Sequence, residues 1–73
     1  MQTYKIEYLG KSMRSRGEDA MDAIRRYGAR MVYGRHPIFV AVYCKYVDSD
    51  TRGHNWAIGL CDGIKVSAEI IPE

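Results

Sequence analysis

A chain of 73 residues with 47% hydrophobic and 27% charged side chains has the composition of a small globular domain and lies outside the low-hydrophobicity, high-charge regime of disorder. At that length folding buries only about 60% of the surface that the unfolded chain exposes, which suits a single core and leaves little room for a substrate cavity of ~300 Å³ or more. The net charge of +2 argues against a uniformly basic nucleic-acid module.

The longest apolar run, Ile38 to Cys44, falls well short of the roughly 20 residues that a membrane-spanning helix needs, so no membrane partner is expected. The opening MQTYKIEYLGKSMRSR alternates polar and apolar residues and lacks the apolar core and small-residue site of a secretory signal. A cytoplasmic location is the resulting expectation. Cys44 and Cys61 are the two cysteines; small secreted domains usually carry more, and both are expected to be buried thiols.

In chain order, Gln2 to Leu9 alternates Tyr4, Ile6 and Tyr8 with Thr3, Lys5 and Glu7, the period-2 pattern of a half-buried strand. Ser15-Arg16-Gly17-Glu18 fits the capping box, in which a serine hydroxyl and a glutamate three residues on bond each other's backbone N–H. A helix is therefore expected over Arg16 to Val32. Its apolar stripe is Ala20, Ile24, Tyr27, Gly28 and Met31, with Asp22, Arg25, Arg26 and Ala29 on the opposite face. Gly34 and Pro37 end it. Pro37 to Val47 is β-branched, aromatic and apolar on both faces, which predicts the central strand. Asp48 to Gly53 reads as a loop and His54 to Cys61 as a strand. Asp62-Gly63 reads as a type I′ hairpin turn leading into a last strand, Ile64 to Ile71. The expected fold is α+β over residues 1–73 as one domain, a single antiparallel-type sheet with one helix packed on one face, in the order β-α-β-β-β.

Charge is unevenly spread. Between Lys11 and His36 stand Lys11, Arg14, Arg16, Arg25, Arg26, Arg30 and Arg35 against Glu18, Asp19 and Asp22, which points to one basic region. Acids at the helix start and arginines at its end complement the helix dipole, and Asp22 is spaced to pair with Arg26 at i+4. That accounts for part of the basic run and leaves Arg14, Arg16, Arg35 and His36 without an explanation.

Motifs for chemistry are incomplete. Leu9-Gly10-Lys11-Ser12 resembles the end of a phosphate-binding loop, but the glycine required five positions before Gly10 is Lys5. Asp48 to Gly53 begins like a calcium loop, yet its fifth position is Arg52 and its twelfth Gly59. His36, Cys44, His54 and Cys61 lack the paired spacing of zinc ligands. Both cysteines sit inside apolar strands, not the electropositive, accessible setting that a reactive thiol needs. No catalytic residue, metal or cofactor is expected, and a binding role is.

A two-residue turn at Asp62-Gly63 would pair Cys61 with Ile64, Gly59 with Val66 and Ala57 with Ala68. Small residues then line one face, where a helix can settle. Trp56, Ile58 and Leu60 fall on the other, with Tyr43 and Phe39 of the preceding strand as neighbours. An uncovered apolar stripe of this kind marks an interface, and homodimerisation through it is one expectation. Arginine, tyrosine and tryptophan are the anchors enriched at hot spots, so Arg25, Arg26, Arg30, Arg35, Tyr33 and Arg52 are the candidate partner-binding residues.

In size, element order and scattered basic and aromatic side chains, the whole chain resembles the small inhibitor proteins encoded by bacteriophages, among them several anti-CRISPR proteins and an inhibitor of host RNA polymerase. The resemblance carries no diagnostic motif, so no residue role comes with it. It implies a host protein or ribonucleoprotein as partner, blocked by occupation of a functional surface. The alternative is a small nucleic-acid binder that uses the Lys11 to His36 segment for phosphate contact and exposed tyrosines for stacking.

Overall fold

The computed structural model describes residues 1–33 and 44–72. Over them the chain forms β1 (Gln2–Tyr8), β2 (Lys11–Gly17), α1 (Ala20–Tyr33), β3 (Cys44–Ser49), a short 3-10 turn (Thr51–Gly53), β4 (Trp56–Cys61) and β5 (Ile64–Ile70). The strands make one antiparallel sheet in the order β2-β1-β5-β4-β3, with α1 on one face. The fold is thus α+β, and the expected order β-α-β-β-β holds with its first strand drawn out into a hairpin.

That hairpin turns at Leu9 and Gly10, whose φ angles of 49° and 74° meet the type I′ requirement for two positive values. Glycine takes this conformation freely; leucine does so at a cost that the flanking ladder offsets. Ser15 consequently lies within β2, where it is buried, and it does not cap the helix. Its hydroxyl donates to the Ala23 carbonyl over 3.0 Å. Capping falls to Asp19, four residues later. Asp19 Oδ1 accepts the Asp22 N–H at 2.7 Å, while Asp22 Oδ2 accepts the Glu18 N–H at 2.8 Å. The first bond is an N-cap; the second departs from a capping box, since Asp22 takes the N–H one residue ahead of the cap.

The core lies between α1 and the sheet. Tyr4, Ile6 and Tyr8 of β1 are buried with Ala20, Met21, Ala23, Ile24 and Tyr27 of the helix, Cys44 and Cys61, Ala57, and Val66 and Ala68. The last hairpin has the register read from Asp62-Gly63: Cys61 with Ile64, Gly59 with Val66, Ala57 with Ala68. Ala57 and Gly59 let the helix approach closely. A Cβ built at Gly59 would lie 3.0 Å from Met21 Cε and 3.1 Å from the Lys45 carbonyl oxygen.

Two further expectations are corrected. The segment Pro37 to Val47, expected as the central strand, is not central in its described part: residues 37–43 lie outside the described residues, and Cys44 to Val47 belong to β3, which pairs with β4 and ends the sheet order, while β5 occupies the middle. Of the described part of that run only Cys44 is buried, and Tyr46 and Val47 are exposed, so apolar composition decides neither burial on both faces nor position in the sheet. Cys44 and Cys61 are not free thiols. They are cross-strand partners in β3 and β4, 4.3 Å apart at Cα and joined as a buried disulfide. That separation is close to the value of a non-hydrogen-bonded antiparallel pair, the one register position where two facing cysteines come this near. Among the described residues no helix is long and apolar enough to cross a membrane.

Candidate partner-binding surfaces

Register decides which side chains meet outside the core. Lys5 pairs with Arg14 and Thr3 with Arg16, so Arg14 and Arg16 share the sheet face turned away from the helix, two residues apart on β2. From the helix side, Arg26, Ala29 and Arg30 approach the same strand. Together with Met1, Thr3 and Ser15, these residues line a groove of about 480 Å³ that wraps the β2 side of the sheet. Four arginines from two elements therefore face one space.

Their electrostatic states differ. Arg26 Nε donates to Asp22 Oδ2 at 2.8 Å, the i,i+4 ion pair read from the sequence. The Asp22 carboxyl is held below the ordinary carboxylate value, first by the Glu18 N–H it accepts and then by Arg26, with partial burial opposing. Arg30 Nη2 donates to Ser15 Oγ at 3.1 Å, and its guanidinium lies 5.7 Å from the centre of the Tyr27 ring, within cation–π range. Among the described residues Arg16 reaches only the Met1 carbonyl, at 3.5 Å. Neither Arg14 nor Arg16 makes an ion pair among the described residues. The groove is thus cationic, with Arg26 and Arg30 held in place and only Arg26 neutralised by a carboxylate among the described residues.

A neighbouring depression is lined by Tyr8, Lys11, Met13, Tyr27 and Met31 beside Arg14 and Arg30. Its two aromatic rings offer no stacking platform. Tyr8 and Tyr27 are buried, 5.7 Å apart at their centroids, and their hydroxyls share a 2.8 Å hydrogen bond. Burial, then the Tyr8 hydroxyl, pushes the Tyr27 phenol well above its ordinary pKa, with Arg30 partly offsetting this.

The other candidates are spread over the molecule. Arg25 is exposed on the helix but does not line the groove. Tyr33 is the last residue of α1. Arg52 is exposed in the 3-10 turn with a φ of 62°. Arg35 and Tyr43 lie outside the described residues, as do Phe39 and His36. Trp56, Ile58 and Leu60 do fall on the face away from the helix, opposite Glu69, Ser67 and Lys65. Trp56 and Ile58 are half-buried and Leu60 is 37% exposed. That face also carries the Lys5–Glu7 ion pair at 2.8 Å, so it is apolar along β4 and charged along β1 and β2.

The acidic loop serves the backbone. Asp50 accepts the N–H groups of Asn55 and Trp56 at 3.1 to 3.3 Å, and Asp48 accepts that of Ser49 at 2.9 Å, a local use typical of aspartate in turns. No cluster of metal-ligating side chains occurs among the described residues. The groove's key members, Arg14 and Arg16, stand in the basic segment that the sequence marks but not among the candidate partner-binding residues read from it. Their spacing of two is a strand-face signal, legible only once Lys11–Gly17 is known to be a strand. No family model, curated protein or solved structure matches this chain.

Proposed function

We propose that this chain is a non-enzymatic binding protein that docks an acidic segment of a protein partner in the groove of Arg14, Arg16, Arg26 and Arg30. The mode of action follows the resemblance to small phage inhibitors: a host protein or ribonucleoprotein is blocked by occupation of a functional surface. The observation that carries the reading is the convergence of four arginines from β2 and α1 on one groove, three of them (Arg14, Arg16 and Arg30) without an ion pair among the described residues. Guanidinium groups bind carboxylates bidentately and are weakly hydrated, which makes arginine the favoured cation at protein interfaces.

A protein partner is favoured over single-stranded nucleic acid because binding of the latter rests on exposed aromatic rings. Among the described residues no aromatic side chain lines this groove, and the tyrosines of the adjacent depression are buried against each other. Action on a host target implies the cytoplasm, where glutathione and thioredoxin keep thiols reduced; the reading therefore requires binding to survive opening of the Cys44–Cys61 bridge.

The test is a titration of the labelled chain with a glutamate-rich peptide, single-stranded DNA and single-stranded RNA at ~50 and ~200 mM salt. Saturable peptide binding that outcompetes both oligonucleotides supports the proposal. Tighter, steeply salt-dependent binding of an oligonucleotide overturns it in favour of the nucleic-acid alternative.

A further inference from the structure

Resting on the acidic-partner reading, we infer that the partner's segment binds as an added strand along the outer edge of β2, so that backbone pairing and arginine contacts act together. Strand parity assigns the backbone groups. The two residues flanking a two-residue turn are a hydrogen-bonded pair, and bonded and non-bonded pairs alternate from there. Tyr8 and Lys11 flank Leu9-Gly10, so Met13, Ser15 and Gly17 direct their N–H and C=O groups to β1, opposite Ile6, Tyr4 and Gln2. An independent contact agrees: the Thr3 carbonyl accepts the Ile71 N–H at 2.9 Å, so the odd residues of β1 bond toward β5 and the even ones toward β2. The backbone groups of Ser12, Arg14 and Arg16 therefore point away from the sheet. Among the described residues no strand pairs with them.

The side chains match that edge to one chemistry. Arg14 and Arg16 flank it from the outer face of the sheet, and Arg26 and Arg30 flank it from the helix side, which is why one groove includes both sets. Unpaired edges invite strand addition, and main-chain bonds then supply affinity while alternate side chains supply specificity. A strand laid there places every second side chain beside Arg14 and Arg16. Acidic residues at positions i and i+2 of an extended segment meet them; a helical acidic peptide does not offer its backbone.

The probe is an eight-residue peptide of alternating glutamate and threonine, in unmodified form and in two N-methylated forms, each methylated at one of the two alternating sets of amides. Strand addition predicts that methylation of one set weakens binding about tenfold or more, since the hydrogen bonds that those amides donate to the β2 edge are lost, and that methylation of the other set is tolerated. Hydrogen exchange on the protein should show the amides of Ser12, Arg14 and Arg16 exchanging fast in the free chain and slowing with peptide, while those of Met13 and Ser15 are slow throughout. A second variant, Ser12→Pro, removes an outward N–H at an edge position where proline is tolerated and should weaken the peptide more than Ser12→Ala does. If the peptide binds but both methylated forms bind equally and the three amides do not slow, strand addition is wrong and the groove reading stands. If the three amides are already slow in the free chain, the edge is covered and strand addition is again wrong. If no form of the peptide binds, both the groove reading and this inference fall.

Discussion

Arg30, in the last turn of α1, donates to the hydroxyl of Ser15 in the edge strand across 3.1 Å, and that hydroxyl in turn donates a hydrogen bond to the Ala23 carbonyl at 3.0 Å. One buried serine thus ties helix to strand and fixes a groove arginine. Replacing Ser15 with alanine should lower stability by about 1 kcal/mol, the usual worth of a buried hydrogen bond, read as a shifted urea midpoint at unchanged slope. The same variant releases Arg30, so peptide affinity should fall by a few-fold. An unchanged midpoint would show that the contact is incidental.

The groove divides the arginines of the basic segment into two groups. Arg14, Arg16, Arg26 and Arg30 changed together to glutamine should abolish peptide binding while leaving circular dichroism unchanged, because exposed ion pairs contribute only ~0.2–1 kcal/mol each. Arg25 and Arg52, also exposed but outside the groove, serve as controls, and their glutamine variants should bind within about twofold of the parent. Equal losses in both sets would mean that net charge, not the groove, drives association.

How far the sequence discloses this arrangement depends on where the local signals are strong. β1 is legible because Tyr4, Ile6 and Tyr8 alternate with polar residues, and the last hairpin because Asp62 and Gly63 suit positive φ angles of 55° and 79°. β2 is hidden: KSMRSRG has no β-branched residue and only two buried positions, as an edge strand permits, and Leu9 is an unusual occupant of a type I′ turn. Its serine and the following glutamate then imitate a capping box, moving the expected helix start ahead of Asp19. The disulfide is hidden for another reason: sequence spacing carries no information about which residues face each other across two strands. With β2 unread, Arg16 falls at the start of the expected helix and Arg14 just ahead of it, and neither charge has an explanation.

Opening the Cys44–Cys61 bridge, which spans a sequence separation of 17, should cost about 3 kcal/mol on the chain-entropy account. Dithiothreitol should therefore lower the melting temperature by roughly 12 °C or more, and Cys44→Ala should reproduce the effect. The bridge joins β3 to β4, and the groove lies beyond β1 at the other end of the sheet order. Peptide affinity measured well below the melting point should accordingly be the same in the reduced chain. Loss of binding on reduction would contradict a cytoplasmic role.

Acid should loosen the helix start. Asp22 has its pKa lowered in the folded chain, chiefly by the Glu18 N–H, so its contribution is present above the unfolded value of about 3.9 and is lost as pH falls through the lower folded value. Asp22→Asn removes this dependence. The wild-type chain should be the more stable above pH 5, and the gap between the two should close as pH approaches 2. Asp19→Ala should cost about 1 kcal/mol through loss of the N-cap bond. A pH-independent gap for Asp22→Asn would assign its role to packing instead of charge.

Trp56, Ile58 and Leu60 lie along β4 on the face away from α1, with Lys45 of β3 opposite Leu60 and Lys65 of β5 on its other side. Twofold pairing of two such faces is the simplest way to cover the stripe, since isologous contacts close on themselves; Trp56, half-buried in the monomer, would lose its remaining solvent contact. Light scattering should then report a dimer at tens of micromolar, and Trp56 fluorescence should shift to the blue as concentration rises. Ile58→Lys places a charge at the middle of the stripe and should give a folded monomer with the parent's circular dichroism, because Ile58 points away from the core formed by Ala57 and Gly59. Lysine is tolerated there in the monomer, where its stem can lie along the sheet and its ammonium reach water; buried unpaired against its twin in a dimer, it would cost several kcal/mol. A parent chain that scatters as a monomer at all these concentrations would remove self-association and leave the β4 stripe as ordinary exposed surface.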